Sequence, residues 1–200
     1  MDFYKAKQYI INRLHAELNP YIVYHNLDHS LSVYRAAENL ANLEKINAKD
    51  RLLLLTAALY HDSGMLTDYD NHEEESVRIC KNVLPDFGYS PEDIATISRL
   101  ILKTKVFEKA ECILENIICD ADLDYLGRDT FFIQSTKLRY EWKLMGKHDY
   151  NLVEWLSIQV NFLEKHQFQT RSAQLLRNKT KQNIIYEIRS LYKICQDNKG

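Results

Sequence analysis

Four short segments carry most of the side chains in this 200-residue chain that could do chemistry. His25 and His29 are four residues apart, so they share a face if that turn is helical. His61-Asp62 closes the most apolar stretch of the sequence, Leu52 to Tyr60. A His–Asp pair at the end of a buried helix is costly unless neighbours satisfy it or the two groups share a cation. His72 opens the run His72-Glu73-Glu74-Glu75-Ser76, and Asp120-Ala121-Asp122-Leu123-Asp124 lies among Ile117, Ile118, Leu123 and Leu126. Two imidazoles with two carboxylates make a mixed nitrogen and oxygen donor set that suits Mn, Fe, Co, Ni or Zn, and Mg more weakly. A single buried histidine or aspartate is usually structural; gathered from separate helices, these residues favour a divalent metal ion.

The elements that must gather them are helices. Apolar residues recur every three or four positions almost throughout, and strict alternation is nearly absent. Gly and Pro contribute only five and three residues, too few for the many tight turns of a sandwich or barrel. The pattern predicts helices over about 3–18, 26–45, 48–62, 72–83, 91–104, 111–126, 129–145, 151–166 and 170–195. A short extended stretch is expected at 21–24, Asn26 or Asp28 as the cap of the second helix, and Ser63-Gly64 as the stop of the third. That third helix is apolar on every face and belongs in the middle of the core. No repeat or linker composition divides the chain, so one all-α domain is expected.

A net charge of −2 argues against a dedicated nucleic-acid module, which would be basic. Cys80, Cys112, Cys119 and Cys195 form no CxxC pair and read as reduced thiols. The N-terminus has no basic segment followed by an apolar core, and no apolar run approaches the ~20 residues of a membrane span. A cytoplasmic protein without membrane partners is therefore expected. Six acidic and no basic residues lie between His61 and Ser76, whereas six basic residues and only Glu187 lie between Gln169 and Lys193. Solvated helix faces would explain both runs; the alternative is a cation site in the first and countercharge for phosphate in the second.

Tyr24-His25-Asn26-Leu27-Asp28-His29, then His61-Asp62, then Asp120-Ala121-Asp122-Leu123 resemble the successive motifs of the HD-domain superfamily of metal-dependent phosphohydrolases. The Tyr-His-Asn-x-x-His element is also similar to the opening metal motif of cyclic-nucleotide phosphodiesterases. The resemblance implies an all-α, single compact helical HD-type domain, with the motif-bearing part over about 21–127 and a helical C-terminal extension over about 128–198. By position it implies that His29, His61, Asp62 and Asp122 are the metal ligands, with Asp120 and Asp124 in supporting or capping roles. His25 matches the position of the proton donor to the leaving group. Asp68 or Glu73 could orient the attacking water as general base. Binuclear members of the superfamily place further histidines after His-Asp; here the interval offers only His72, which favours one ion, or one strong and one weak site.

The implied reaction is hydrolysis of a phosphate ester by metal-activated water, with a nucleotide or related phosphorylated small molecule as substrate. The rival reading is a nucleotide-binding sensor or regulatory module with little turnover. A di-iron oxygenase would need more histidines between His61 and Asp122 than this chain supplies. Tyr140, Trp142, Tyr150, Trp155 and Phe162 read as packing residues, while Lys103, Lys105, Arg128, Arg139 and Arg171 are cations that could meet a phosphate. His15, His148 and His166 read as surface or core histidines. The aromatic C-terminal half could also serve a homodimer.

Overall fold

The computed structural model describes residues 1–105 and 109–197, and all the regular structure among them is helical. Nine α-helices follow in order: α1 (Phe3–Glu17), α2 (Leu27–Leu43), α3 (Ala48–Tyr60), α4 (His72–Val83), α5 (Pro91–Leu102), α6 (Ile113–Asp122), α7 (Phe131–Leu144), α8 (Leu152–Lys165) and α9 (Arg171–Asp197). Single 3-10 turns occupy Ser63–Leu66, Leu84–Phe87 and Asp124–Gly127. Residue 198, the end of the expected C-terminal extension, lies outside the described residues.

The chain forms two compact units. The first comprises Met1–Pro20 and His25–Leu123, and the second comprises Tyr21–Tyr24 and the chain from Asp124. In the first, eight consecutive residues of α3, Leu53 to Tyr60, are buried, so this helix is surrounded. Each buried leucine there contributes about 1.5–3 kcal/mol. Helix α1 lays Ala6, Ile10 and Leu14 on this core at intervals of four. Helix starts are set locally: Asn47 accepts the amide of Asp50, while Ser90 and Asp93 close a reciprocal capping box behind Pro91. In the second unit, the Trp142, Tyr150 and Trp155 rings meet edge-on or tilted, and Trp155 Nε1 donates to Ser135 Oγ at 2.9 Å. Tyr140, expected in that packing, is instead more than half exposed.

Three local expectations are corrected. Residues 21–24 are turns and bends rather than an extended segment; the amide of Tyr24 donates to the buried carboxylate of Glu141 at 2.6 Å. Gly64 is not a left-handed helix stop. It lies inside a 3-10 turn, where a Cβ would fall 2.0 Å from the backbone oxygen of His72. Helix α6 ends at Asp122 rather than continuing to 126, because the chain turns there to give Asp124 to the guanidinium groups of Arg128 and Arg177. In the basic run of α9, Arg177 holds Asp124, Lys181 donates to the carbonyl of His166, and Arg189 pairs with Glu164.

No helix among the described residues is long and apolar enough to cross a membrane.

Candidate metal centre

Three helix ends in the first unit meet at one point. Asn26 caps α2 by accepting the amide of His29, which fixes His29 in the helix's first turn. Helix α3 delivers His61 and Asp62 just past its C-terminus, and α6 delivers Asp122 as its last residue. His29 Nε2 lies 3.3 Å from His61 Nε2, 3.1 Å from Asp122 Oδ1 and 3.4 Å from Asp62 Oδ2. His61 Nε2 lies 3.1 Å from Asp62 Oδ2 and 3.4 Å from Asp122 Oδ1.

Ligands bound at about 2.1 Å stand about 3.0–3.5 Å apart across octahedral or tetrahedral edges, so this spacing is that of a first-row metal cage. His29, His61 and Asp122 present one donor atom each within a common 4.8 Å. Asp62 Oδ2 is buried with no hydrogen-bond partner among the described residues, a costly arrangement that a cation would relieve. The buried carboxylate of Asp62 and the half-buried one of Asp122 also match the charge of a divalent ion. The residues present therefore fit the group.

The ring orientations agree with that fit. His61 Nδ1 donates to the Ala58 carbonyl at 2.9 Å, which directs Nε2 to the centre. Burial opposes charge on His61, but Asp62 and Asp122 outweigh it and hold the imidazole well above the ordinary histidine range. Burial likewise opposes charge on the two aspartates, and the histidines beside them hold both well below the usual carboxylate range.

The other residues singled out by the sequence divide. His72, at the start of α4, donates from Nδ1 to the Tyr69 carbonyl at 3.0 Å and turns Nε2 toward Asp62 Oδ1 at 3.6 Å and Glu73 Oε1 at 3.5 Å. Asp62 thus faces His29 and His61 with one oxygen and His72 with the other. His25 lies outside α2, yet its ring centroid is 5.8 Å from those of His29 and His72 and 6.3 Å from that of Tyr69. Asp68 turns its carboxylate to its own loop, accepting from the amides of Asp70 and Asn71 and from the Asn71 side chain. Asp120 is buried in α6, and Asp124 belongs to the second unit.

Sequence reasoning missed Ser76. Its fully buried hydroxyl donates to the His61 carbonyl at 2.6 Å and accepts the Gly64 amide at 2.8 Å, pinning the turn that carries His61 and Asp62 to α4. No periodicity marks such a residue, because its partners are twelve and fifteen positions away.

A family model, the HD domain, matches residues 26–125, half of the chain. An uncharacterised protein of Clostridium beijerinckii is 38% identical over 81 residues, which are 39% of this chain and 51% of that protein, so the chain spans about half the length of this relative. Among solved structures, Bacillus subtilis YpgQ superposes with a TM-score of 0.67 at 21% identity, covering 96% of this chain and 97% of that one. YpgQ in complex with ADP gives 0.65 at 18%, covering 96% of each. A predicted HD superfamily hydrolase from an uncultured Thermotogales bacterium gives 0.60 at 16%, covering 95% and 91%. At these identities the likeness shows the fold.

Proposed function

The chain belongs to the HD domain family, which includes metal-dependent phosphohydrolases, and on that premise we propose that it hydrolyses a phosphate ester of a nucleotide or related small molecule. The observation that carries this reading is the cluster of donor atoms from His29, His61 and Asp122, with Asp62 Oδ2 within 3.4 Å of both imidazoles, buried and without a hydrogen-bond partner among the described residues. These residues would hold one divalent ion. When bound, the ion would supply Lewis acidity toward a phosphoryl oxygen and a lowered pKa for water.

The chain's own groups would do the rest. Glu73, beside His72 and at the edge of the cluster, would orient the attacking water and accept its proton. Asp68 has the turn-holding role that its hydrogen bonds describe. His25, half-buried and within ring contact of His29 and His72, would protonate the leaving oxygen as the phosphorus–oxygen bond breaks. The ADP bound by YpgQ, a protein of the same fold, supports a nucleotide-like substrate. Four free cysteines are consistent with action in the cytoplasm.

Elemental analysis of protein purified without chelator, on wild type and Asp122→Ala in parallel, tests the reading. Near-stoichiometric transition metal in the wild type and none in the variant is expected, followed by metal-dependent phosphate release from a nucleotide panel. A ratio near two would assign His72 to a second ion. Metal without turnover, but with nucleotide-dependent thermal stabilisation, would turn the reading to a sensor. No metal in either protein, even after Mn²⁺ soaking, would overturn it.

A further inference from the structure

A cleft of about 550 Å³ opens between the start of α4 and the end of α5. Ser98, Arg99, Lys103 and Lys105 line it from α5 and the turn that follows, and Glu74 of α4 lies opposite. Its size is that of a small-ligand site. Arg99 lies on α5 and Lys103 one turn later, just past its end, about 6 Å along the axis. Beneath them, the fully buried carboxylate of Glu115 receives Arg99 Nη1 at 2.6 Å, and Lys103 Nζ lies 4.0 Å from it. That anchor holds the cationic side of the cleft in place. Lys105 pairs across the cleft with Glu74.

Ser98 gives the cleft a polar group that the fold itself leaves unused. The residue is only 8% exposed, and its Oγ has no hydrogen-bond partner among the described residues. A buried hydroxyl without a partner is costly, and a ligand oxygen would relieve it. The adjoining hollow of about 300 Å³ shares Glu74 and Leu102 with the cleft and adds Arg78 and Lys81. Positive charge therefore predominates along the groove.

We propose that this cleft binds an oligophosphate: a chain of two or more phosphates reaching Lys105, Lys103 and Arg99, with the Ser98 hydroxyl donating to it. Arg99 and Lys103 converge on one anion, as they do on Glu115, so a second phosphate is what would bring Lys105 into the same ligand. Glu74 holds Lys105 until the ligand arrives, and a phosphate oxygen then takes its place. Both walls of the cleft are tied to elements that carry the metal centre. Glu74 follows Glu73 directly, and the Cys119 thiol donates to the Lys103 carbonyl at 3.1 Å, one turn before Asp122 on α6. On the phosphohydrolase reading, such a phosphate chain would be the distal phosphates of the substrate. That role as the tail site of a substrate rests on the phosphohydrolase reading; the binding does not.

Calorimetric titration of the metal-free full chain with tripolyphosphate, and separately with inorganic phosphate, tests the inference. Tripolyphosphate is expected to bind at least tenfold more tightly than phosphate. Lys105→Gln should weaken it about tenfold, whereas Glu74→Gln, which frees Lys105, should tighten it several-fold. Glu187→Gln, removing the same charge from an exposed position on α9, should leave it unchanged. No binding by the wild type, equal affinity for both probes, or the same response to Glu74→Gln and Glu187→Gln would overturn the inference. Because the titration contains no metal, failure of the metal analysis above would sink the hydrolase reading and leave the cleft separately judged.

Discussion

Asp62 connects two groups of imidazoles, with Oδ2 toward His29 and His61 and Oδ1 toward His72. Its removal should therefore do more than subtract one ligand. Asp62→Ala is expected to abolish metal retention and turnover together, as read by elemental analysis and phosphate release; retention of both would sink the ligand assignment. Ser76 offers a subtler probe, because its hydroxyl hydrogen-bonds the backbone on either side of Asp62. Ser76→Ala leaves the Gly64 amide without its acceptor and should cost about 1–3 kcal/mol of stability. If the hydroxyl also aims His61 and Asp62, metal affinity should fall by roughly 10- to 100-fold, as for other groups that orient ligands from behind. Urea denaturation and Mn²⁺ titration separate the two effects. A variant that loses stability but keeps wild-type metal affinity would make Ser76 a purely structural residue.

The 3-10 turn between α3 and α4 shows how closely the elements must approach to build the site. A methyl group at residue 64 would meet the His72 carbonyl oxygen at 2.0 Å and the Glu75 Cβ at 2.7 Å, so α4 would have to retreat. Gly64→Ala should destabilise by about 1–3 kcal/mol or more and separate His72 from Asp62, measurable as loss of bound metal alongside a lower urea midpoint. Helix existence was legible because its causes are local. The apolar surround of α3, the Pro91 start with its Ser90–Asp93 box, and the acidic opening of α4 can all be read within one or two turns of sequence. The His29, His61, Asp62 and Asp122 cluster was legible through motif order, and the structure brings their donor atoms together. Gly64 was misread because positive φ and close approach both select glycine, and a sequence does not say which applies. The end of α6 was misread because Arg177, 53 residues beyond Asp124, takes part in ending it. Lys103 and Lys105 were legible only as cations that could meet a phosphate, and Ser98 gave no signal, since a cleft is defined by what neighbouring helices leave open.

The two compact units carry different titratable burdens, and the C-terminal one is open to separate observation because Trp142 and Trp155, the chain's two tryptophans, both lie in it. There the His166 ring stacks on Phe162 and meets Phe168 edge-on at 4.6 Å, with Nδ1 buried and without a hydrogen-bond partner among the described residues. Lys181 donates to the His166 carbonyl and lies 5.8 Å from the Phe168 ring centre. Burial, and then the Lys181 charge, push the His166 pKa down to about 4 from an ordinary 6.5. Between those values the unfolded chain binds a proton that the folded chain refuses, so stability must fall as pH falls. The contribution is complete above pH 6.5 and declines toward pH 4, by at most on the order of 3 kcal/mol. Replacing the imidazole with a ring that cannot titrate removes this dependence and leaves the carboxylates and the metal-site histidines as a shared background. The difference between wild type and His166→Phe in urea midpoint, followed by tryptophan fluorescence, should therefore change steadily in the variant's favour from pH 6.5 to pH 4. A difference that stays constant across that range would mean that His166 takes up its proton without unfolding, and that the ring is less enclosed in solution than its contacts with Phe162 and Phe168 require.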